Sequence, residues 1–208
     1  MKIGIYGGTF DPPHNGHINA CKGFLKAFNM DRLLIIPTSI PPHKIKLTSV
    51  TGEQRFDMCT LAFAGLSEKI EISDMELKRE GKSYTALTIA ELLSEGADEI
   101  LLLCGTDMLL TFDTWYEFEY IFQNATIVCM RRENEKENDF LLLQKTNEYK
   151  EKYNAKIEFI DAPAVEASST EIRADIDKNY ISSLIPSTVY DYIVKNQLYK
   201  KEENYEQG

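Results

Sequence analysis

Short apolar runs alternate with amphipathic stretches through most of this chain. Six runs are predicted to be strands: Lys2–Tyr6, Leu33–Ile36, Ile70–Ser73, Ile100–Cys104, Thr126–Met130 and Ile157–Ile160. Helices are predicted between them, at about 16–29, 52–65, 84–95, 115–122 and 134–152. The fourth run is apolar throughout, which is typical of a central strand covered on both faces. Because strands alternate with helices, we predict an α/β fold with right-handed crossovers and a doubly wound parallel sheet.

The pattern changes after Asp161, where only helices are predicted, at about 169–178 and 188–197. A segment of roughly 45 residues is too short for a core of its own. We therefore expect these helices to pack against the carboxyl edge of the sheet. The predicted organisation is a single domain over 1–200, with a core over 1–165, a small C-terminal helical segment over 166–200 and a tail over 201–208.

Composition excludes several classes of function. A net charge of −10 argues against a protein that coats nucleic acid, and no apolar run approaches the roughly 20 residues needed to cross a membrane. The four cysteines form no CxxC pair, which argues against a zinc ribbon or a disulfide framework. The N-terminus also lacks the features of a secretory signal, so a reducing cytoplasm is expected. Residues 1–60 carry seven Lys/Arg against four acidic side chains, which places any anion site in this first third.

The segment 7–17, GGTFDPPHNGH, follows the first predicted strand and opens the first predicted helix. In doubly wound sheets this position lies above the carboxyl ends of the strands, where nucleotides bind. Gly7 and Gly8 are expected to allow close approach of a ligand and a positive φ. Asn15 is expected to cap the helix, which would aim its N–H groups at an anion. Gly16 leaves no side chain to block a phosphate.

His14 and His17 are three residues apart at the start of this helix, within reach of the same phosphates. Taken alone, two histidines there more often cap the helix or pack than bind a ligand. Two of the chain's three histidines fall in this one turn, however, which favours a site. Beside a polyphosphate we expect them in the cationic form. Metal ligation is a weaker alternative, because no carboxylate or cysteine stands beside them at ligand spacing.

The segment GGTFDPPHNGH resembles the signature of the HxGH nucleotidyltransferase superfamily, and its fuller form looks most like bacterial nicotinate-nucleotide adenylyltransferases. Other segments are similar to that family: the loop 37–44, Arg55 with Met58, Gly105-Thr106-Asp107 followed by Trp115, the SSTEIR motif at 168–173, and the closing helix 189–199. Two positions depart from it. Leu87 stands where the family usually has aspartate, and Ala167 where it usually has isoleucine.

The resemblance implies a Rossmann-like fold and transfer of the adenylyl group of ATP to nicotinate mononucleotide. The products would be deamido-NAD and pyrophosphate, a step of NAD biosynthesis. The mononucleotide phosphate is already ionised at neutral pH, so it can attack the α-phosphorus in line without a general base or a covalent intermediate. The protein would then supply alignment and charge neutralisation. Mg²⁺ is expected to arrive with ATP, with no metal ligands contributed by the protein.

The resemblance also implies roles for particular residues. The catalytic residues would be His14, His17, Lys44 and Arg173. ATP would be bound by Gly7, Gly8, Thr9, Phe10, His14, Gly16, His17, Gly105, Asp107, Ser168, Ser169, Thr170 and Arg173. The mononucleotide would be bound by Thr9, Lys44, Tyr84, Thr85, Asp107 and Trp115. Read without the family, Ser168 and Glu171 have the spacing of a capping box, Asp107 caps a helix, and Trp115 packs in the core.

Other functions stay open at this point. Related enzymes transfer a nucleotide to pantetheine phosphate, FMN or glycerol phosphate, although the GxD…Trp and SSTxIR segments argue against them. Nicotinamide mononucleotide stays an alternative acceptor, because the preference for the acid over the amide rests on backbone geometry. A non-catalytic nucleotide sensor would usually have lost a motif histidine. A purely structural α/β protein would bind neither substrate. The expected partners are ATP and nicotinate mononucleotide, without nucleic acid or membrane, and the family includes both monomers and homodimers.

Overall fold

Six parallel strands form one sheet in the computed structural model, which describes residues 1–39, 49–132, 139–162, 168–176 and 184–200. The strands are β1 (Lys2–Gly8), β2 (Arg32–Pro37), β3 (Ile70–Ile72), β4 (Glu99–Gly105), β5 (Thr126–Arg132) and β6 (Lys156–Ala162). The helices are α1 (Asn15–Ala27), α2 (Gly52–Phe63), α3 (Met75–Lys78), α4 (Thr85–Ser94), α5 (Thr106–Leu110), α6 (Phe118–Asn124), α7 (Asp139–Tyr153), α8 (Ser169–Asp175) and α9 (Ser187–Lys195).

The strand order is β3-β2-β1-β4-β5-β6, and every neighbouring pair is parallel. The chain builds outward from β1 to β3, then returns to place β4 beside β1 and builds outward again. The direction of winding therefore reverses between β1 and β4. Ligands of such sheets bind outside the carboxyl ends of the strands at this reversal. The predicted doubly wound α/β fold is confirmed.

Two apolar layers cover the two faces of the sheet, and side chains along the central strands alternate between them. On β2, Leu33 and Ile35 enter one layer and Leu34 and Ile36 the other. The first layer holds residues of α1, α2, α8 and α9, and the second holds residues of α4, α6 and α7. A parallel sheet covered on both faces explains why its central strands are apolar throughout.

The element boundaries follow the sequence prediction except around residue 115. There the chain forms a 3₁₀ turn at Phe112–Thr114, and α6 begins only at Phe118. Glu117, just before α6, has a left-handed backbone (φ 52°), which separates the two helical pieces. The short helices α3 and α5 were not predicted. No helix within the described residues is long and apolar enough to cross a membrane.

The two late helices occupy different places. Ile172 of α8 and Val189 and Ile193 of α9 enter the apolar layer of α1 and α2. On the surface beside α2, the Tyr192 hydroxyl of α9 donates a hydrogen bond to Asp57 at 2.8 Å. Ser169 and Arg173 of α8 instead reach the segment between β1 and α1. α8 therefore lies at the carboxyl edge of the sheet, and α9 packs beside α2.

Candidate active site

The segment of residues 9–14, here called the β1–α1 turn, leads from the end of β1 into α1. It lies at the carboxyl end of β1, beside β4 and therefore at the winding reversal. The neighbouring strand end is tied to it, because the Thr38 amide donates to the Gly8 carbonyl at 2.9 Å. The peptide bond between Asp11 and Pro12 is cis. The segment singled out by the sequence thus sits where this fold binds its ligands.

His14, and not Asn15, caps α1. Its Nδ1 accepts a hydrogen bond from the Gly16 amide at 3.1 Å, and the His17 Nδ1 accepts one from the His14 amide at 3.1 Å. The two imidazoles are close, with 3.7 Å between their ring centroids. A short side chain such as asparagine is the usual cap, but this turn uses a reciprocal pair of imidazoles in its place.

These capping bonds fix the tautomer of both rings. A backbone N–H can only donate, so each Nδ1 must accept and carries no proton. The ring proton of each histidine therefore sits on Nε2. A second ring proton would have to displace one of these capping bonds, so the arrangement favours neutral rings, and the cationic form expected beside a bound polyphosphate stays a prediction. Capping and ligand binding, posed above as alternatives, use different nitrogens of the same rings.

Phe10 packs beneath the histidines. Its backbone is left-handed (φ 48°), and its side chain is only 1% exposed. The ring makes edge contacts with His17 and Phe63, at centroid distances of 4.9 Å and 6.1 Å. A ligand could therefore meet Phe10 only through its backbone, and the side chain supports His17 from below.

Gly7 and Gly8 play different parts. Neither has a positive φ, so the expected turn conformation is wrong; both belong to the extended strand β1. A Cβ on Gly8 would lie 3.0 Å from the Phe10 ring, whereas a Cβ on Gly7 would have no heavy atom within 4 Å among the described residues. Gly8 is small because of packing, and Gly7 leaves open space beside the strand end.

Donors from α2 and α8 satisfy the carbonyl groups of the β1–α1 turn. The Arg55 Nη1 donates to the Thr9 carbonyl at 2.8 Å. The Arg173 Nη1 donates to the Asp11 carbonyl at 2.6 Å, and the Ser169 hydroxyl to the Pro12 carbonyl at 3.0 Å. With these carbonyl oxygens engaged, the turn is held by three separate side chains.

The SSTEIR motif forms the first turn of α8. Ser168 caps this helix by accepting from the Glu171 amide at 3.1 Å, and its hydroxyl donates to the Glu171 carboxylate at 2.9 Å. The Arg173 Nη2 donates to the Thr170 hydroxyl at 3.2 Å. The capping reading of Ser168 and the approach of Arg173 to the β1–α1 turn therefore coexist.

Gly105 ends β4, and Thr106 and Asp107 follow it, at the strand end that neighbours β1. Asp107 is exposed in the first turn of α5, and its Oδ1 lies 2.8 Å from where a Cβ of Gly105 would stand. The Asp107 carboxylate thus lies against Gly105, and a side chain at position 105 would force that carboxylate to shift. Its carboxylate faces solvent at the carboxyl edge, where it can accept hydrogen bonds from a ligand.

Trp115 is half-buried, and one face of its indole stacks on Phe112 with centroids 4.5 Å apart and planes 10° apart. Tyr84, which precedes α4, pairs with Tyr116 at a centroid distance of 4.4 Å. No side-chain hydrogen bond within the described residues caps α4. The uncapped N–H groups therefore lie at the start of α4, after β3, and the aromatic surface of Trp115 and Tyr116 lies in the segment after β4.

A buried carboxylate, Glu76, lies beneath the start of α4. It is 5% exposed, and its Oε1 accepts from the Thr88 hydroxyl at 2.8 Å. Its Oε2 makes no hydrogen bond of normal geometry to any described residue. The nearby Ser83 hydroxyl lowers the pKa of Glu76, which favours the charged carboxylate. Burial is the larger effect and raises the pKa of Glu76. Ser83 in turn accepts from the Ser39 amide at 2.8 Å, which ties α4 to the loop after β2.

Lys44 and Ala167 lie outside the described residues. The sequence pointed to Arg55 only as part of a resemblance. It gave no sign of the buried Glu76 or of the hydrogen bond from the Tyr199 hydroxyl to the Asp11 carboxylate. A charged residue such as Arg55 amid the apolar positions of a helix is one signal that could have found such a contact, because a buried cation needs a partner. Within the described residues, no three His, Cys, Asp or Glu side chains form a group that could hold a metal ion.

Comparisons with known proteins find relatives over nearly the whole chain. A family model described as cytidylyltransferase-like matches residues 5–175. A protein of Clostridium novyi (strain NT) named probable nicotinate-nucleotide adenylyltransferase is 35% identical over 96% of this chain and 99% of its own length. A Clostridium tetani (strain Massachusetts / E88) protein of the same name is 36% identical with the same coverage. The solved structure of Plasmodium falciparum nicotinic acid mononucleotide adenylyltransferase complexed with APC has a TM-score of 0.73 at 22% identity, covering 95% of this chain and 96% of that one.

Proposed function

The chain belongs to the nicotinate-nucleotide adenylyltransferases of the cytidylyltransferase-like family, and we propose that it transfers the adenylyl group of ATP to nicotinate mononucleotide. The products are deamido-NAD and pyrophosphate, so the reaction is a step of NAD biosynthesis. The observation that carries this proposal is the orientation of His14 and His17. Backbone amides hold both Nδ1 atoms, so both rings carry their donor proton on Nε2 where this fold binds nucleotides.

The histidines would act as neutral donors. The mononucleotide phosphate attacks the α-phosphorus of ATP, a new P–O bond forms, and the bond to pyrophosphate breaks. Negative charge grows on the oxygens of the five-coordinate phosphorus. His14 would donate a hydrogen bond from Nε2 to the triphosphate, and His17 would donate one to the α-phosphate. Because the caps already hold both rings in place, neither ring has to reorient during the reaction. No proton needs to leave the attacking phosphate.

The ATP-binding residues expected from the sequence fall on three adjacent edges. Gly7 and Gly8 end β1, the β1–α1 turn holds Thr9, Phe10 and His14, and Gly16 and His17 begin α1. Gly105 ends β4, Asp107 follows it, and Ser168–Thr170 with Arg173 begin α8. We assign Asp107 to the ribose hydroxyls. Arg173 donates one hydrogen bond to the Asp11 carbonyl and one to the Thr170 hydroxyl. Its positive charge and its remaining N–H donors would bind the phosphates.

The mononucleotide would lie toward α4 and the 3₁₀ turn. Trp115 already uses one face on Phe112, so its other face would stack on the nicotinate ring. The carboxylate of that ring needs N–H donors, and the uncapped amides near Tyr84 and Thr85 would supply them. Thr9 would contact the phosphate. Lys44, from the loop after β2, is assigned from the sequence alone as a cation that reaches the phosphates.

Mg²⁺ would accompany the triphosphate. We assign the ion to the triphosphate because Mg²⁺ is usually held by substrate phosphates and water instead of by an all-protein cage. Bound on the β- and γ-phosphates, it would neutralise their charge.

The four cysteines are buried free thiols, as suits a reducing cytoplasm, and that is where we place the enzyme. Its oligomeric state, monomer or homodimer, is a question for sedimentation velocity.

A substrate panel tests the reaction. Purified protein with Mg-ATP is given nicotinate mononucleotide, nicotinamide mononucleotide or pantetheine phosphate, and pyrophosphate release is measured. We expect the acid mononucleotide to be turned over fastest. Turnover of pantetheine phosphate but not of nicotinate mononucleotide would refute the assignment, and preference for the amide would refute the proposed carboxylate site.

Two variants of His17 separate catalysis from capping. His17→Ala removes both the cap and the Nε2 donor, whereas His17→Gln keeps an acceptor at a position where glutamine completes capping boxes. We expect both to lower kcat by about a hundredfold or more, a loss typical of a donor to the transition state. His17→Gln should keep the thermal stability of the wild type. Full activity in His17→Gln would remove His17 from the mechanism.

A further inference from the structure

The β1–α1 turn has one support from a residue beyond α9. The Tyr199 hydroxyl donates to the Asp11 Oδ1 at 2.6 Å, across 188 positions of sequence. Burial raises the pKa of Tyr199 strongly, and the neighbouring Asp11 carboxylate raises it further. The hydroxyl therefore stays protonated at any working pH, and in this pair it acts as the donor.

Asp11 has cations on both sides. Arg55 is 6% exposed, and although burial lowers its pKa, the charge of Asp11 opposes that change. Arg55 and Arg173 both lie close enough to Tyr199 to lower its pKa. Their guanidinium groups nevertheless bond to the carbonyls of Thr9 and Asp11. The Asp11 carboxylate instead accepts from the tyrosine hydroxyl.

We propose that Tyr199 is a positioning residue for adenylyl transfer: by holding the Asp11 carboxylate, it keeps Arg55 and Arg173 on the backbone of the β1–α1 turn. This inference rests on the proposed function, because it concerns the same phosphates. Without the hydroxyl, the carboxylate competes with two neutral carbonyls for the two guanidinium groups, and charged acceptors bind guanidinium more strongly. The turn would then lose donors on Thr9 and Asp11, and the histidines that follow would lose their alignment.

The arrangement also affects charge. Two guanidinium groups near one carboxylate leave net positive charge at the turn, which favours an anion there. Tyr199 adds no charge, so its removal should change alignment more than attraction. We therefore expect an effect on kcat with little effect on the KM of either substrate.

Tyr199→Phe tests the proposal, with Tyr192→Phe as its matched control. Both variants remove one tyrosine hydroxyl that donates to an aspartate, but the exposed Tyr192 bond to Asp57 joins α9 to α2 and does not involve Asp11. We expect Tyr199→Phe to lower kcat by about tenfold and to change each KM by less than twofold. Tyr192→Phe should match the wild type. In the background of Asp11→Ala, adding Tyr199→Phe should change kcat by less than twofold, because the hydroxyl acts through that carboxylate.

Amide hydrogen exchange of a peptide covering residues 7–17 gives a readout that needs no turnover. Exchange should be faster in Tyr199→Phe than in Tyr192→Phe or the wild type. Equal kcat and equal exchange in the two tyrosine variants would overturn the proposal, as would a kcat that returns to the wild-type value once the temperature is lowered to match stabilities. If the wild type does not use nicotinate mononucleotide, the proposed function fails, and the exchange comparison still decides whether Tyr199 fixes the turn.

Discussion

Replacing Gly8 by alanine is expected to destabilise the protein and to slow catalysis together. The new Cβ would stand 3.0 Å from two carbons of the Phe10 ring and 3.3 Å from a third, where ordinary contacts begin near 3.4 Å. The ring cannot withdraw easily, because it is 1% exposed and packs edge-on against Tyr6, His17 and Phe63. Any shift of a few tenths of an ångström therefore passes to the His17 imidazole.

The cost follows from overpacking. Extra methyl groups in well-packed cores destabilise by about 1–3 kcal/mol. The smaller conformational freedom of alanine in the unfolded chain returns about 0.4–1 kcal/mol. The expected net loss is about 1–2 kcal/mol, or roughly 2–8 °C in Tm for a chain of this size. A displaced His17 should in addition lower kcat by about tenfold.

Gly7→Ala is the matched control. Its Cβ would meet no heavy atom of the described residues within 4 Å, and its backbone is extended, so the free energy of unfolding should be unchanged or slightly higher. If ATP approaches this open space, the KM for ATP should rise while the stability holds. Urea denaturation and steady-state kinetics on both variants provide the data. A Gly8→Ala protein as stable and as fast as the wild type would refute the reasoning, since it would mean that the Phe10 ring moves freely.

Three further predictions concern the mononucleotide side. Glu76→Gln should raise the free energy of unfolding by about 1 kcal/mol near pH 8 but hardly at pH 4. Burial raises the pKa of Glu76, so the wild type loses stability as the pH rises from the unfolded pKa through the folded one. Glutamine does not ionise and avoids that loss. Equal gains in urea denaturation at both pH values would contradict this. Trp115→Ala should raise the KM for the mononucleotide about tenfold and leave that for ATP unchanged, with Trp115→Phe recovering most of the loss; an equal rise for both substrates would argue against stacking. Leu87→Asp should stabilise the protein by about 0.3–1 kcal/mol in thermal denaturation, since Leu87 is 41% exposed in the first turn of α4 and a carboxylate favours a helix N-terminus. A lower Tm would mean that the leucine packs against a neighbour.

The fold could be predicted because its signals are local. Each strand is a short run rich in apolar residues, the central strands alternate their side chains between two layers, and the intervening stretches carry the helical period. The interruption before α6 could not be predicted, because it depends on a left-handed backbone at Glu117, a residue type with no special tendency to adopt it. Position 15 was misread for a related reason: asparagine is the better cap on average, but the His14 and His17 rings fill that role for each other.

The site could be located by its motif but not assembled. The sequence predicts that residues 7–17 lie at a nucleotide-binding corner, and the fold puts them there. It gives no means of predicting that Arg173 bonds to the Asp11 carbonyl or that Arg55 bonds to the Thr9 carbonyl, because these contacts join residues 162 and 46 positions apart. Such pairings depend on how helices cross the sheet, which a single sequence does not encode locally.

The supports behind the β1–α1 turn have a consequence for synthesis on the ribosome. Hydrogen bonds from Ser169, Arg173 and Tyr199 return to residues 11–12 across 157, 162 and 188 positions. A nascent chain therefore displays its histidine motif long before it contains the side chains that brace it. Stalled or prematurely released polypeptides should carry the motif without consuming ATP, and enzymatic competence should arise only once the last helices have emerged and docked.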